Sequence, residues 1–559
     1  MKRPQFGRFG RGQTASRRAS KVAGVLGAAI LLGTCLTVAA VAASGLLAAP
    51  ARESPHATPS VRGTPLPSSS ALSLSDLTAA PVAASTAASL TPLVPVAWFW
   101  TATRNVTLVD VARLWAGLPD TTTETQYKSL AVAAEDVEAL AAALDITPAK
   151  TVAVLDDAGV KAAVRASTST LGLLPASEVT PDVLALSING YSLFGSGRIK
   201  TLADWPLLVR PAVPSTFSLT TEWTLAAGGD VNLDRNVYVK AVQKGYGPDY
   251  PWSGGYAAIS GYRCCSFDGG SVLVARPTTD PGALARRFSQ ADLAIVNLEG
   301  SAPNDFVYRP DSLIFTFDPA LLAGLHHAGI DAVSLANNHI RNGGDQGVIE
   351  TCSNLDHAGI AHAGAGADLA AARAPAWLAA AGLRVAFLAY SNVGRPNFAG
   401  TDSPGSAPLD PASVVDDIRS ARAAGADIVI VMPHWGEEYS YWLSTEQKQD
   451  AADFVAAGAD LVLGSHSHWV GAIQSIDLPR GPAFVDYSLG DLLFDLDHDI
   501  QSQEAVVLTL TFSGKRLVQV GLDPTIVVDR AQVALLDPAG DGHTVLDAIR
   551  RASRGLLGW

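Results

Sequence analysis

Cysteine and methionine are nearly absent, at four and two among 559 residues. Cys35, Cys264, Cys265 and Cys352 make neither a disulfide framework nor the paired spacing of a zinc knuckle. What stays open is one bridge from Cys264 or Cys265 to Cys352, or free, partly buried thiols. Positive charge is scarce beyond the N-terminus. Seven of the 40 basic residues lie in residues 1–21, which hold no acid. The other 33 face 53 acidic residues, leaving the body at -20. A surface of that sign excludes nucleic acid as a partner and disfavours polyanions in general. Histidine is missing between His56 and His326.

Charge is missing altogether from Val22 to Pro50. At ~1.5 Å per helical residue this run outspans a ~30 Å hydrocarbon core. Residues 1–21 read as a basic cytoplasmic tail, so a single-pass anchor at 22–50 would leave the bulk of the chain outside. The competing reading of 22–50 is a signal peptide removed near Ala49-Pro50-Ala51.

What is present suggests two or three domains. Residues 51–93, rich in Ser, Pro, Ala and Thr, read as a disordered spacer. Residues 94–215 read as a small α/β lobe, with strands at 94–100, 151–155, 182–188 and 207–209 and helices at 108–118 and 131–144. It carries no chemistry-bearing constellation and no anion-binding motif. The main domain spans 217–530, and 531–559 reads as a C-terminal extension. The main domain repeats a helix, a Gly stop and a short apolar strand, as in Ala328-Gly329-Ile330-Asp331 before Ala332-Val333-Ser334. Apolar runs without alternation predict strands buried on both faces, mostly parallel, with helices between them. Residues 244–276, rich in Gly, Tyr and Trp, read as an insertion, either a lid or a packed surface excursion.

Polar residues appear where each apolar run stops. Asp230 and Asn232 follow the first, Glu299 the second, and Asn338-His339 the third. His434 leads Glu437, Glu438 and Tyr439 after the fourth, and His466 and His468 follow the fifth. Asp491 closes the series. Loops at the carboxyl ends of strands build the crevice of an α/β sheet. Oxygen and imidazole donors without thiolate point to Mn, Fe, Zn or Mg. Two such ions ~3.5–4 Å apart clamp an in-line displacement at phosphorus.

These motifs resemble the bacterial capsule-synthesis (CapA/PgsA, poly-γ-glutamate) family, within the calcineurin-like metallophosphoesterase superfamily. They are Gly229-Asp230, Asn297-Leu298-Glu299-Gly300, Ser334 to His339, His434 to Tyr439, Gly464 to His468, and Tyr487 to Asp491. The resemblance implies a layered β-sandwich flanked by helices, behind the small α/β lobe and the membrane segment. It implies that Asp230 and His468 hold one ion, that Asn338, His434 and His466 hold a second, and that Glu299 bridges. His339 would stand beside the leaving group as a general acid. Glu437, Glu438, Tyr439 and Asp491 would orient ligands or meet substrate. Asn232 replaces the histidine of the superfamily's Asp-x-His, which weakens the first ion site. The implied function is an extracytoplasmic, membrane-anchored hydrolase of surface-polymer biosynthesis, acting through a metal-bound hydroxide. The alternative is a non-catalytic scaffold of the synthase or export complex.

Overall fold

The strand Glu222–Val231 is buried along its whole length, and so are Leu293–Leu298 and Ile428–His434. Alternate residues of such a strand must find apolar cover on opposite faces. In the computed structural model they do. It describes residues 90–118, 125–211, 215–265, 270–310 and 312–557. Leu225, Ala227 and Ile295 face a core shared with Phe387, Ile430, Leu463 and Phe484, so two sheets pack face to face. Ala226, Ala294 and Val296 turn outward under the helices Leu322–Ala328 and Gly344–Ala358. On the other side Val429, Val431 and Val462 turn outward under Pro411–Ala423 and Thr445–Ala457. The result is a mixed α/β sandwich of two sheets between two helical layers.

The first sheet has nine strands and the second six. Each contains a parallel run: Leu293–Leu298 lies between Glu222–Val231 and Ala332–Ser334, and Ile428–His434 between Leu383–Ser391 and Leu461–Leu463. In the first sheet the parallel run reaches one edge at Ala361–Ala363 while Glu504–Ser513 pairs antiparallel on its other side, and both edges of the second sheet are antiparallel, so the expectation of mostly parallel strands holds within these runs. Parallel neighbours end at the same edge, which is where the polar residues gather. The helix Leu322–Ala328 stops at Gly329, whose φ of 91° suits a residue without Cβ.

Three boundaries differ from the expectation. Residues 531–559 are no extension: Gln532–Leu536 is a strand of the nine-stranded sheet, and Val545 and Ile549 of the helix His543–Ala552 enter the central core. The expected insertion at 244–276 supplies the first strand and part of the second of an edge hairpin, Tyr256–Cys264 and Ser271–Thr279. Within it Cys264 and Cys265 are bonded to each other, while Cys352 is free and half-buried, its thiol pushed up to about 12 by burial. The bridge to Cys352 is therefore not found, and the expectation of a free, partly buried thiol holds for Cys352 but not for the vicinal pair. The spacer ends early, because the strand Thr91–Trp98 starts inside it.

That strand belongs to a separate six-stranded sheet with its own core of Val96, Leu130, Leu171 and Leu173. Residues 131–133, expected to be helical, are strand, and the helix starts at Val137. The tail at 1–21 and the apolar run at 22–50 lie outside the described residues. Among the described residues, no helix is long and apolar enough to cross a membrane.

Candidate metal centre

Register brings the polar strand ends together. Asp230 pairs with Asn297 across two parallel strands of the first sheet. In the second sheet His434 ends its strand and bridges to Ser465. The two sheets meet where His434 Nδ1 comes 4.0 Å from Asp230 Oδ1. A close backbone approach adds the last loop: a Cβ on Gly229 would stand 1.9 Å from the Gly490 carbonyl oxygen. That approach lets Asp230 N–H donate to Gly490 O at 3.0 Å, and Leu493 N–H to Asp230 O at 3.0 Å. Asp491 is thereby laid beside Asp230.

Asp230, Glu299 and His434 each offer a ligand atom within 4.8 Å of the others, and so do Asp230, His468 and Asp491. All five are buried. Asp230 is thus common to both groups, whereas the resemblance gave the shared place to Glu299. Asn338 Oδ1 lies 2.8 Å from His434 Nε2, and the His466 ring packs 4.6 Å from that of His434. His339 Nε2 is 3.7 Å from Glu299 Oε1.

The donors and acceptors are unevenly matched. Asp230 accepts from Asn297 Nδ2 at 2.6 Å and from His466 N–H at 3.0 Å. His468 Nδ1 meets Asp491 Oδ1 at 2.9 Å. Both oxygens of Glu299, Nδ1 of His466 and Oδ2 of Asp491 are buried without a hydrogen-bond partner among the described residues. A buried carboxylate without donors is costly, and the usual remedies are a proton or a cation. Burial, reinforced by Asp230, pushes Glu299 well above the carboxylate range. Burial holds His466 down to about 3 and His339 down to about 4, so both rings are neutral at pH 7. Burial alone would pull His468 down as well, but Asp491, with Glu299 and Asp230 behind it, holds it up at about 10. A compact set of buried oxygens and neutral imidazoles, short of partners, fits a divalent cation.

Backbone strain accompanies the site. His466 has φ 93° and His468 φ 60°, both in the left-handed region. Non-glycine residues there cost on the order of 1–3 kcal/mol each. Such strain persists where surrounding contacts fix it, here the His466 N–H bond to Asp230 and the His468 bond to Asp491.

The other expected residues stand apart. Asn232 is spent on the chain: its amide donates to Glu299 O at 3.1 Å and its carbonyl accepts Asp234 N–H at 2.9 Å. Glu437 and Glu438 are exposed, and Glu438 reaches only to 4.0 Å of His466 Nε2. Tyr439 stacks on His468 with ring centroids 5.1 Å apart and covers that side. Sequence reasoning gave no role to Asn297 or Ser465. Asn297 Nδ2 donates to Asp230 and lies 3.3 Å from His434 Nδ1, and Ser465 Oγ lies 3.0 Å from the same nitrogen. An Asn buried inside an apolar strand just before Glu299 was the available signal.

Residues 224–496 match the family of bacterial capsule synthesis proteins. The chain is similar to a capsule biosynthesis protein CapA from Bacillus anthracis, at 27% identity over 52% of this chain and 65% of that one. It is also similar to a PGA biosynthesis protein CapA from Bacillus subtilis, at 33% identity over 29% of this chain and 41% of that one. A probable polyglutamine synthesis accessory protein from Mycobacterium tuberculosis is 34% identical over 39% of this chain and 61% of that one. The chain therefore spans less than two thirds of the length of each of these curated relatives. Among solved structures, a calcineurin-like phosphoesterase from Bacillus subtilis overlaps loosely, with 13% identity, TM-score 0.28, and coverage of 59% of this chain and 96% of that one. The matched segment contains every residue of the centre described above, and residues 224–496 are a domain of the bacterial capsule synthesis protein family.

Proposed function

We propose that this chain is a membrane-anchored, extracytoplasmic, metal-dependent hydrolase of the phosphoesterase type, serving the synthesis of capsule or poly-γ-glutamate. The observation that carries the hydrolase reading is Glu299, a buried carboxylate with both oxygens unpartnered, placed between Asp230, His434 and His339. The polymer setting rests on the family and on what its named relatives make. The anchor rests on the uncharged run at 22–50. Partners would be the surface polymer or its synthase complex.

Two divalent ions, of Mn, Fe, Zn or Mg, are the cofactors proposed. Asp230, His468 and Asp491 would hold one, and Asp230, Glu299 and His434 the other, with Asn338 and His466 beside it. When bound, they would supply positive charge to offset an oxyanion developing at a phosphoryl or acyl centre. The chain's own residues do the rest. Asn297 Nδ2 lies against both Asp230 and His434 and ties the two together. Asn342 Oδ1 accepts the Phe315 N–H at 2.7 Å and lies 2.9 Å from His339 Nδ1, so that nitrogen carries the ring proton. His339 Nε2 then faces the centre with its lone pair free. A general-acid role requires a second proton to be taken up there before the leaving group departs.

The scaffold alternative draws support from Asn232, whose amide is committed to backbone groups and leaves one position without a side-chain ligand. The two readings separate in one experiment. Full-length protein in detergent is assayed for bound metal and for phosphodiester and γ-glutamyl amide hydrolysis with Mn or Zn added. Turnover in the wild type, absent in Glu299→Ala and His466→Ala, is the expected result. Full metal occupancy without turnover on any ester or amide would overturn the hydrolase and leave the scaffold.

A further inference from the structure

The sheet containing Thr91–Trp98 docks against the outer face of the nine-stranded sheet. Gly195 N–H donates to Thr511 Oγ1 at 2.9 Å, Ala185 N–H to Gln519 Oε1 at 3.1 Å, and Arg516 Nη2 to Ser177 O at 2.7 Å. The seam does not close everywhere. It leaves a cavity of about 200 Å³, lined by Val94, Leu184, Leu193 and Phe194 on the apolar side and by Arg104, Arg287 and Asp523 as its charged groups.

We infer that this cavity binds a small organic acid, its carboxylate or phosphate head held by Arg104 and Arg287 and its body by the apolar residues. One carboxylate, Asp523, pairs with Arg287 and acts on Arg104 only through its field. Arg104 Nη2 donates to Leu522 O at 3.1 Å, and Arg287 Nη2 to Tyr256 Oη at 3.4 Å. Arg287 Nε is 3.2 Å from Asp523 Oδ2, yet it is buried and makes no hydrogen bond among the described residues. Asp523 is itself shared with Thr509 Oγ1 at 3.3 Å. Each guanidinium presents about five N–H donors, so most of their donors remain for a ligand. The local charge is positive in a chain whose net charge is -13. Burial pulls Arg104 below the ordinary guanidinium value, Asp523 pulls it back, and Arg287 lowers it further, which is the state a second anion would relieve. Paired forks of this kind match an oxyanion bidentately. The volume exceeds what a bare phosphate needs, and the leucines and Phe194 suit a carbon body.

This site is separate from the metal centre, and its test does not depend on turnover. Full-length protein in detergent with excess chelator, so that no metal captures the anion, is titrated calorimetrically with glutarate, glycerol phosphate and inorganic phosphate. Expected is saturable one-site binding of glutarate or glycerol phosphate, tighter than inorganic phosphate; the tighter of the two organic acids assigns the head group. Arg287→Gln weakens binding by roughly tenfold or more, and Asp523→Asn, which removes the competing carboxylate, tightens it. No saturable binding by either organic acid, unchanged affinity in Arg287→Gln, or weaker binding in Asp523→Asn overturns the inference. Asp523→Asn carries the test if Arg287→Gln does not fold.

Discussion

The two groups that meet at Asp230 handle buried charge in opposite ways. On the His468 side, an imidazole held protonated faces Asp491 at 2.9 Å, so charge is largely met within the protein. On the Glu299 side, a carboxylate lies among neutral rings with no donor to either oxygen. Burying a charge without a partner costs several kcal/mol. The first side therefore meets most of its own charge and gains less from an ion, whereas the second needs a proton or a cation. The same fold edge supplies both, and the difference is one carboxylate, Asp491, brought in by the last loop.

The largest expected effect breaks the Glu299 side. Glu299→Ala removes the group with the most unmet demand, and metal uptake on that side should fall by about a hundredfold or more, equivalent to roughly 3 kcal/mol. Equilibrium dialysis with Mn or Zn reads this directly. If the variant binds as much metal as the wild type, the contrast between the two sides is wrong. Next comes the His468 side. Asp491→Asn should lower thermal stability in the metal-free protein, because removing one partner of a buried pair costs about 3–5 kcal/mol; Glu299→Gln should leave it equal or higher. Calorimetry on both chelated variants sets the two sides against each other. Asn297→Ala should weaken both groups together, by about 1–3 kcal/mol, since one amide serves Asp230 and His434. A loss confined to one ion in metal titration would contradict that shared role.

A control stands outside the centre. Asp486 is buried, its Oδ1 accepts Ser488 N–H, and its Oδ2 has no partner among the described residues. Burial pushes it up to about 8, against the Ser488 N–H that favours the charged form. A raised carboxyl binds its proton more tightly folded than unfolded, so its contribution is complete below about pH 4 and is lost as pH rises through about 8. Asp486→Asn should therefore flatten the decline of stability between those limits. An unchanged pH slope in chemical denaturation would show that the carboxyl is not neutral in the fold.

Much of the centre was legible because chemistry followed position. Asp230, Glu299, His434 and His466 stand where apolar strands end, and parallel strands end together. The role of Asp491 beside Asp230 was harder to read, since it depends on Gly229 lying against Gly490, a contact between distant segments that no local pattern announces. Asn232 looked like a ligand from its spacing, but backbone groups two residues on and across the strand claimed its side chain. The C-terminal strand Gln532–Leu536 was missed although it forms a hairpin with its neighbour Arg516–Val528; only its other partner, Tyr256–Cys264, is distant in the chain. The organic-acid cavity left no motif because its two arginines sit 183 positions apart.

The Gly229–Gly490 contact also sets an order of events. Asp230 lies on a central strand whose two neighbours come from residues 293–298 and 504–513. A growing chain has the first neighbour early but must wait some 270 residues for the second and for Asp491. Contacts of such sequence separation form late. Until then Asp230 has neither its loop nor half its sheet, so an emerging chain holds no finished trap for metal. Selection of the ion thus falls to whatever compartment the chain occupies when its last quarter folds, and a chain stopped before Gly490 should purify metal-free.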